Sequence, residues 1–403
     1  MAQWIAGITR GHNAGICLLK DGEIVFALQE ERLTREKYDG GPYAALMKVL
    51  EYTDHLDYLV IAHTKPLDSY AAKVDFSEED VYTGLARKLG LISRETSIFD
   101  KQLHPQVIDL GSTHHKLHAA CAFYRSGFES AVSLVVDGHG TFIPMHILGE
   151  IQTTWELETI FECSYPSNFK TIYKHQGGRG PWNSFKEDSF GGRDEDGDDK
   201  YEFILDENSG IVNAYEAVTQ YCGWPAIEAG KTMGLFPYGK PNDKVPTIYS
   251  DGGGGDWKSA DRNVIVPTYP NAAVVNEGRY AYLRSDHTYI HDVTRLDNRR
   301  DMAYAIQTES QQMVLDLIRK AVDKSGNNNV VLSGGYGLNC VANYYYISQL
   351  DGINLYVEPV SDDSGTAIGA ALYQHYKTTG DTTIRDYSSA YLGPEYDYSD
   401  ILS

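Results

Sequence analysis

Two separate series of short apolar runs, each run followed by a turn or a helix-period stretch, constrain this chain more than any other feature. In the first series Trp4 to Thr9, Ala14 to Leu19 and Glu23 to Leu28 read as strands, the last two joined by an Asp21-Gly22 type I′ turn. Helical periodicity follows at Tyr43 to Tyr52, then an apolar strand at Tyr58 to Ala62. A helix runs from His114 to about Tyr124, and strand-like stretches follow at Ala131 to Val136 and Met145 to Leu148. The second series has helices at Ile211 to Tyr221 and Ala303 to Ala321 and a short strand at Val330 to Leu332. It ends with a helix at Leu338 to Ser348, a strand at Leu355 to Val357 and a small-residue-rich helix at Gly365 to Tyr376. Strands alternating with crossing helices, twice over, predict two related α/β lobes with a cleft between them. At 403 residues, 42% of them hydrophobic, the chain is long enough for both.

The formal net charge of -21 repels nucleic-acid phosphates and anionic lipid, so direct binding to duplex DNA or to a membrane is not expected. Five scattered cysteines with no CxxC spacing predict reduced thiols in the cytoplasm, without a disulfide framework or a zinc knuckle. The N-terminus lacks a basic region followed by an apolar stretch, and no apolar run reaches membrane-spanning length. Lys174 to Tyr201, rich in Gly, Asp and Glu, reads as a long exposed loop. Its acidic run lacks the remaining ligand spacing of a calcium-binding loop. Gly252 to Gly255 marks another loop, and the charge run Glu30, Glu31, Arg32, Arg35, Lys37 a solvated face.

His114 and His118 stand four apart, so on a helix their imidazoles share one face at a separation that one metal ion can bridge. Asp137 follows the apolar run Ala131 to Val136, at the strand end where an open α/β sheet presents ligand-binding groups. Two imidazoles and a carboxylate suit a first-row divalent metal with positions left for phosphate oxygens. The spacing alone admits a second reading, one histidine packed and the other in water.

Four further segments carry candidate chemistry. Ser333-Gly334-Gly335-Tyr336-Gly337-Leu338-Asn339 lies between a buried strand and a helix. Its glycines would let backbone approach a phosphate at a helix N-terminus, although a tight structural turn fits equally. Asp363 follows Pro359-Val360-Ser361-Asp362 and reads either as a metal ligand or as the N-cap of the next helix. Glu228-Ala229-Gly230-Lys231 offers a carboxylate and a lysine on flexible backbone, for acid/base and nucleotide roles or as a surface turn. His12 follows the first strand directly, placed for the cleft or for solvent.

Together these segments resemble the NodU/CmcH-type O-carbamoyltransferases. The matching stretches are GHNAGICLLKDGEIVFALQEERLTREK, HHKLHAACAFY, LVVDGHG, EAGKTMGLFPYG, SGGYGLNCVAN, PVSDDSGTAIGAALY and YLGPEY, in family order from Gly11 to Tyr396. The same core is similar to TsaD-type threonylcarbamoyl transferases and, more distantly, to the sugar-kinase/actin fold. The resemblance implies a duplicated, ribonuclease-H-like two-lobed α/β fold, with a first lobe over 1–165, a second over 166–390 and a tail over 391–403.

It implies O-carbamoyl transfer from carbamoyl-adenylate to a hydroxyl-bearing acceptor, with AMP leaving. His114, His118, Asp137 and Asp363 would ligate a divalent metal, Fe2+ in the family, with Mn2+ or Zn2+ as alternatives. Ser333, Gly334, Gly335 and Asn339 would cradle the nucleotide derived from ATP, and Lys231 lies in the matching nucleotide-side motif. His12 would stand near the carbamoyl group and Glu228 near the acceptor hydroxyl. A homodimer is compatible with the family.

Three departures stand out. Asn13-Ala14 follows His12 where the family usually has an Asp and small residues. The stretch Lys174 to Tyr201 interrupts a region more nearly continuous in relatives. The sequence ends at Ser403, where full-length relatives enter a YrdC-like domain that makes carbamoyl-adenylate, so a separate YrdC-like protein is expected as donor partner. Two competing readings are a tRNA threonylcarbamoyl transferase-like enzyme and a non-catalytic nucleotide-binding partner subunit.

Overall fold

The computed structural model describes residues 2–41, 43–64, 81–93, 104–147, 149–178, 192–193, 200–206, 210–242, 245, 248–251, 257–260, 265–266, 273–274 and 296–394. The first sheet opens as an antiparallel meander of β1 (Trp4–Thr9), β2 (Gly15–Lys20) and β3 (Glu23–Gln29). Asp21 and Gly22 both take positive φ, 52° and 85°, which closes the β2–β3 hairpin as the sequence predicts. Helices α1 (Glu30–Thr34) and α2 (Tyr43–Lys48) follow. Then β4 (Tyr58–Ile61), α3 (Val81–Lys88) and β5 (Val107–Asp109) extend the sheet in parallel, in the order β3-β2-β1-β4-β5. All six residues of β1 are buried, as befits a strand covered on both faces.

After α4 (His114–Ser126) the same pattern recurs. The strands β6 (Ser130–Val136), β7 (Phe142–Ile147), β8 (Glu150–Ser164) and β9 (Asn168–Gly178) come first, followed by β10 (Gly192–Arg193) and β11 (Lys200–Asp206) at the sheet's edge. Helices α5 (Gly210–Tyr221) and α6 (Ala229–Leu235) precede two short hairpins, β12 (Tyr249–Asp251) with β13 (Trp257–Ala260) and β14 (Ile265–Val266) with β15 (Ala273–Val274). The long α7 (Leu296–Ser325) leads into β16 (Asn329–Ser333), α8 (Cys340–Gln349), β17 (Asn354–Val357) and α9 (Ser364–Thr379). Along β9-β8-β6-β16-β17 the first two pairings are antiparallel and the last two parallel, so the order of the first sheet is repeated strand for strand. This is the duplicated ribonuclease-H-like fold. Helix α4 after β5 and helix α9 after β17 are counterparts, and they pack on each other in the centre.

Small residues permit that packing. A Cβ on Gly369 of α9 would lie 1.9 Å from the Leu117 carbonyl oxygen of α4. One on Gly7 of β1 would lie 2.0 Å from the Ala367 carbonyl oxygen of α9. A buried Arg125–Glu358 ion pair joins the far end of α4 to the segment before α9, and the Arg125 Nη2 also donates to the Ser389 carbonyl at 3.0 Å.

Several sequence expectations are revised. Lys174 to Gly178 continue β9 rather than opening a loop, because Lys174 Nζ reaches Glu156 Oε1 at 2.7 Å and His175 Nδ1 reaches Glu158 Oε2 at 2.6 Å across the ladder. Lys200 and Tyr201 likewise begin β11. The remainder of that stretch and Gly252 to Gly255 lie outside the described residues, apart from Gly192–Arg193. Glu30 leaves the solvated face: it is buried, and its carboxylate accepts the Ala44 and Ala45 N–H groups, each at 2.7 Å, satisfying the free end of α2. The chain passes from one sheet to the other between Asp109 and Ser130, and residue 165 falls inside the second sheet, between β8 and β9. Among the described residues no helix is long and apolar enough to cross a membrane.

Gly369→Ala should destabilise the protein by about 1–3 kcal/mol, because the methyl group must push two central helices apart. Gly234→Ala, on α6 with open space around it, should be neutral or stabilise by roughly 0.5–1 kcal/mol. Urea unfolding of both variants checks the contrast.

Candidate metal centre and its cavity

The first turn of α4 is held from outside the helix. The His114 N–H donates to Thr141 Oγ1 at 3.0 Å, while Thr113 turns its own hydroxyl back to the Leu110 carbonyl. This fixes His114 and His118 on one buried face, with their Nε2 atoms 3.2 Å apart. Asp137 arrives from the end of β6, its Oδ2 at 3.6 Å from His114 Nε2 and 3.9 Å from His118 Nε2. Asp363 arrives at the start of α9, its Oδ1 at 3.5 and 3.7 Å from the same two nitrogens. Asp363 occupies the N-cap position of α9 but makes no side-chain cap bond; the Ser364 N–H goes to Asp362 Oδ1 instead, at 3.0 Å. The cap reading of Asp363 is thereby set aside.

One donor atom from each of the four residues lies within 4.8 Å of the others. Four N and O ligands, each about 2.1 Å from one ion, stand roughly 3.0–3.5 Å apart, so this set fits a single divalent cation after a small contraction. The donor chemistry, two imidazoles and two carboxylates, suits a first-row metal.

Charge in the cluster is already organised for a cation. Burial opposes a charged His114, but its hydrogen bonds to the Asp137 and Asp363 carboxylates outweigh it and raise its imidazole well above the usual range. Burial likewise acts against ionised carboxylates, yet the histidines hold both Asp137 and Asp363 well below the usual carboxylate range. His115, between the two ligands in sequence, behaves oppositely. Burial pushes it down to about 4, and its Nδ1 meets Thr159 Oγ1 at 2.7 Å, which makes it a neutral packing residue.

Two residues of the cluster, Asp137 and Asp363, line a cavity of about 300 Å³. Gly334 takes φ +85° where a Cβ would strike the Val136 carbonyl oxygen at 2.4 Å, so only glycine passes here. The next residue, Gly335, donates its N–H to Asp137 Oδ1 at 2.9 Å, which ties the glycine turn to a metal ligand. Asn339 lines the cavity but spends its amide on the turn itself: Oδ1 caps α8 through the Ala342 N–H at 3.1 Å, and Nδ2 donates to Gln307 Oε1 at 3.0 Å. Ser333 is buried behind the turn. His12 lines the cavity from the loop after β1. Glu228 and Lys231 do not line it; they pair with each other, and Lys37 Nζ approaches Glu228 Oε1 at 3.7 Å.

Sequence reasoning passed over Tyr38, His139, Glu216, Met233 and Asp362, all of which line the same cavity. Glu216 left a usable signal, being the single charged residue among the twelve of α5.

With this geometry in hand, the comparisons decide the family. The model of the carbamoyltransferase N-terminus matches residues 4–372. The chain belongs to this family. It is 25% identical over 425 residues to an uncharacterised protein of Synechocystis sp., covering 97% of this chain and 60% of that protein. It is 24% identical over 397 residues to the nodulation protein NolNO of Sinorhizobium fredii, covering 95% and 49%. The chain thus spans about half to three-fifths of the length of these relatives. A solved structure of full-length HypF superposes on 94% of this chain and 56% of that one, with a TM-score of 0.49 at 13% identity.

His118→Ala and Asp363→Asn should each abolish or severely weaken binding of a divalent metal, measured by elemental analysis after dialysis. Since His114 must lose its proton to become a ligand, apparent affinity in the unmutated protein should rise with pH, about tenfold per unit while that proton is displaced. A flat pH profile with full occupancy in both variants would remove these four residues as the site.

Proposed function

We propose that this carbamoyltransferase-family chain moves a carbamoyl group from carbamoyl-adenylate to a hydroxyl of an acceptor molecule, releasing AMP. The observation that carries this reading is that Asp137 and Asp363 of the four-residue cluster line one cavity together with Gly335 of the glycine turn and His12. His114, His118, Asp137 and Asp363 would hold the ion, Fe2+ by family resemblance with Mn2+ or Zn2+ as alternatives. When bound, it supplies positive charge that neutralises phosphate oxygens and makes AMP a better leaving group.

The protein's own groups have separable tasks. Gly335, with no side chain and its N–H turned to Asp137, lets backbone lie close against the nucleotide. Apolar lining from Ile227, Met233 and Leu338 offers a surface for the flat base. In the transfer step the acceptor oxygen bonds to the carbamoyl carbon, the bond from that carbon to the phosphate oxygen breaks, and the hydroxyl proton passes to a base. His12 is the residue for that proton, because it reaches the cavity as a ring whose nitrogen can accept. Glu228, which the family resemblance puts near the acceptor hydroxyl, is held below its ordinary value chiefly by its hydrogen bond to Lys231, which makes it a weaker base.

Incubation of the metal-loaded protein with synthetic carbamoyl-adenylate and a panel of hydroxyl compounds should yield a product that gains one carbamoyl group by mass spectrometry. His12→Asn should slow transfer on the order of a hundredfold with AMP affinity unchanged. Near-normal turnover in that variant assigns the proton to another group, and absence of transfer across the panel counts against the reaction.

A further inference from the structure

The stretch from Asp137 to Thr141 touches the four-residue cluster at both of its ends. Asp137 supplies a carboxylate oxygen, and Thr141 Oγ1 accepts the His114 N–H at 3.0 Å. Strand β8 holds this stretch in place. The Thr141 N–H donates to Glu156 Oε2 at 2.9 Å. The Glu156 carbonyl accepts the Gly140 N–H at 2.9 Å, and the Glu156 N–H donates to the Thr141 carbonyl at 3.2 Å. At the other end the Asp137 N–H donates to the Leu157 carbonyl at 3.0 Å. The stretch is also clasped tightly: a Cβ on Gly140 would lie 2.5 Å from His115 Nε2 of α4 and 2.8 Å from Glu156 Cβ of β8.

The side chain of Glu156 is the part of this arrangement that packing alone does not require. It is 2% exposed. Burial acts against its ionised form, but the Lys174 ammonium, 2.7 Å from Oε1, outweighs burial and holds the carboxyl well below the usual range. One carboxylate oxygen therefore faces a cation on β9, and the other faces a backbone N–H two bonded contacts from a candidate metal ligand. A neutral amide in its place has a single acceptor oxygen and could serve only one of these donors well. The His–His and His–Asp separations of 3.2–3.9 Å leave a small contraction for an ion to complete, and a fixed stretch spares the site any larger rearrangement. We propose that Glu156 is a positioning residue of the metal centre, acting through Thr141 to set where His114 stands against Asp137. The inference rests on reading the cluster as a metal site.

Metal binding tests this without any turnover. Co2+ is titrated into the metal-free full chain and followed by its visible absorption. The variants carry Lys174→Met, so that no buried charge is left unpaired, combined with either Glu156→Gln or Glu156→Leu. The glutamine keeps an acceptor for the Thr141 N–H, and the leucine does not. Co2+ affinity should stay within a few-fold of wild type with glutamine and fall on the order of ten- to a hundredfold with leucine, with an altered absorption spectrum. Thr141→Val should lose a similar factor by itself and add nothing to the leucine variant, because both break one chain of contacts. Glu309→Leu is the control. Glu309 also accepts two backbone N–H groups, those of Ile248 and Tyr249 at 2.9 Å, so its loss should lower the melting temperature and leave Co2+ affinity unchanged. Equal affinity in the glutamine and leucine variants, losses that multiply with Thr141→Val, or an equal loss in Glu309→Leu overturns the proposal. Should the leucine variant fail to fold, wild-type affinity in Thr141→Val overturns it as well. No Co2+ uptake by the unmutated protein refutes the cluster as a metal site and this role with it, whereas uptake that ignores positions 156 and 141 refutes the role alone.

Discussion

The contact between α4 and α9 is the constraint on which the rest depends. Each helix follows the last strand of its own sheet, and each can cover that sheet only by meeting the other in the middle. Gly369 against the Leu117 carbonyl sets how near they come, and the buried Arg125–Glu358 pair fixes their relative height. One consequence is chemical. The first turn of α4 and the first turn of α9 arrive at the same point, bringing His114, His118 and Asp363 together without any of them being neighbours in a loop. Two helix N-termini converging here also add positive potential, which favours both the Asp363 carboxylate and an anionic ligand.

The duplication explains the remaining members. Asp137 follows β6 as Arg10 to His12 follow β1, its counterpart in the other sheet. The two central strands thus deliver their trailing residues to one cavity, Asp137 from one and His12 from the other. A cleft with contributions from both repeats follows from the topology, before any particular ligand is considered.

Legibility in the sequence tracked how local each cause is. The strand meander, the Asp21-Gly22 turn and the His114/His118 pair are set by spacing within a few residues and were readable. Asp363 was ambiguous, because a carboxylate before a helix caps or ligates according to what stands opposite, and that depends on α4. The extension of β9 was missed because Lys174 and His175 look like loop residues until Glu156 and Glu158 on the partner strand are seen to neutralise them. Glu228 and Lys231 depend on distant structure in another way. Their motif is family-like, and they pair with each other beside the cavity, which their neighbours Ile227, Ala229 and Gly230 line.

Asn13 illustrates how a departure from the family's pattern can be absorbed. Its Nδ2 donates to Asp362 Oδ2 at 3.3 Å, and Gln29 Nε2 donates to the same oxygen at 3.1 Å. The Asp362 carboxyl is raised chiefly by burial, with the neighbouring Asp363 adding to the effect, so a further carboxylate at position 13 would face a site already crowded with negative charge. An amide there supplies a donor instead, and it fastens the loop carrying His12 to the residue directly before Asp363. The change therefore preserves the join between the two repeats at the point where the candidate base and the candidate metal ligand meet.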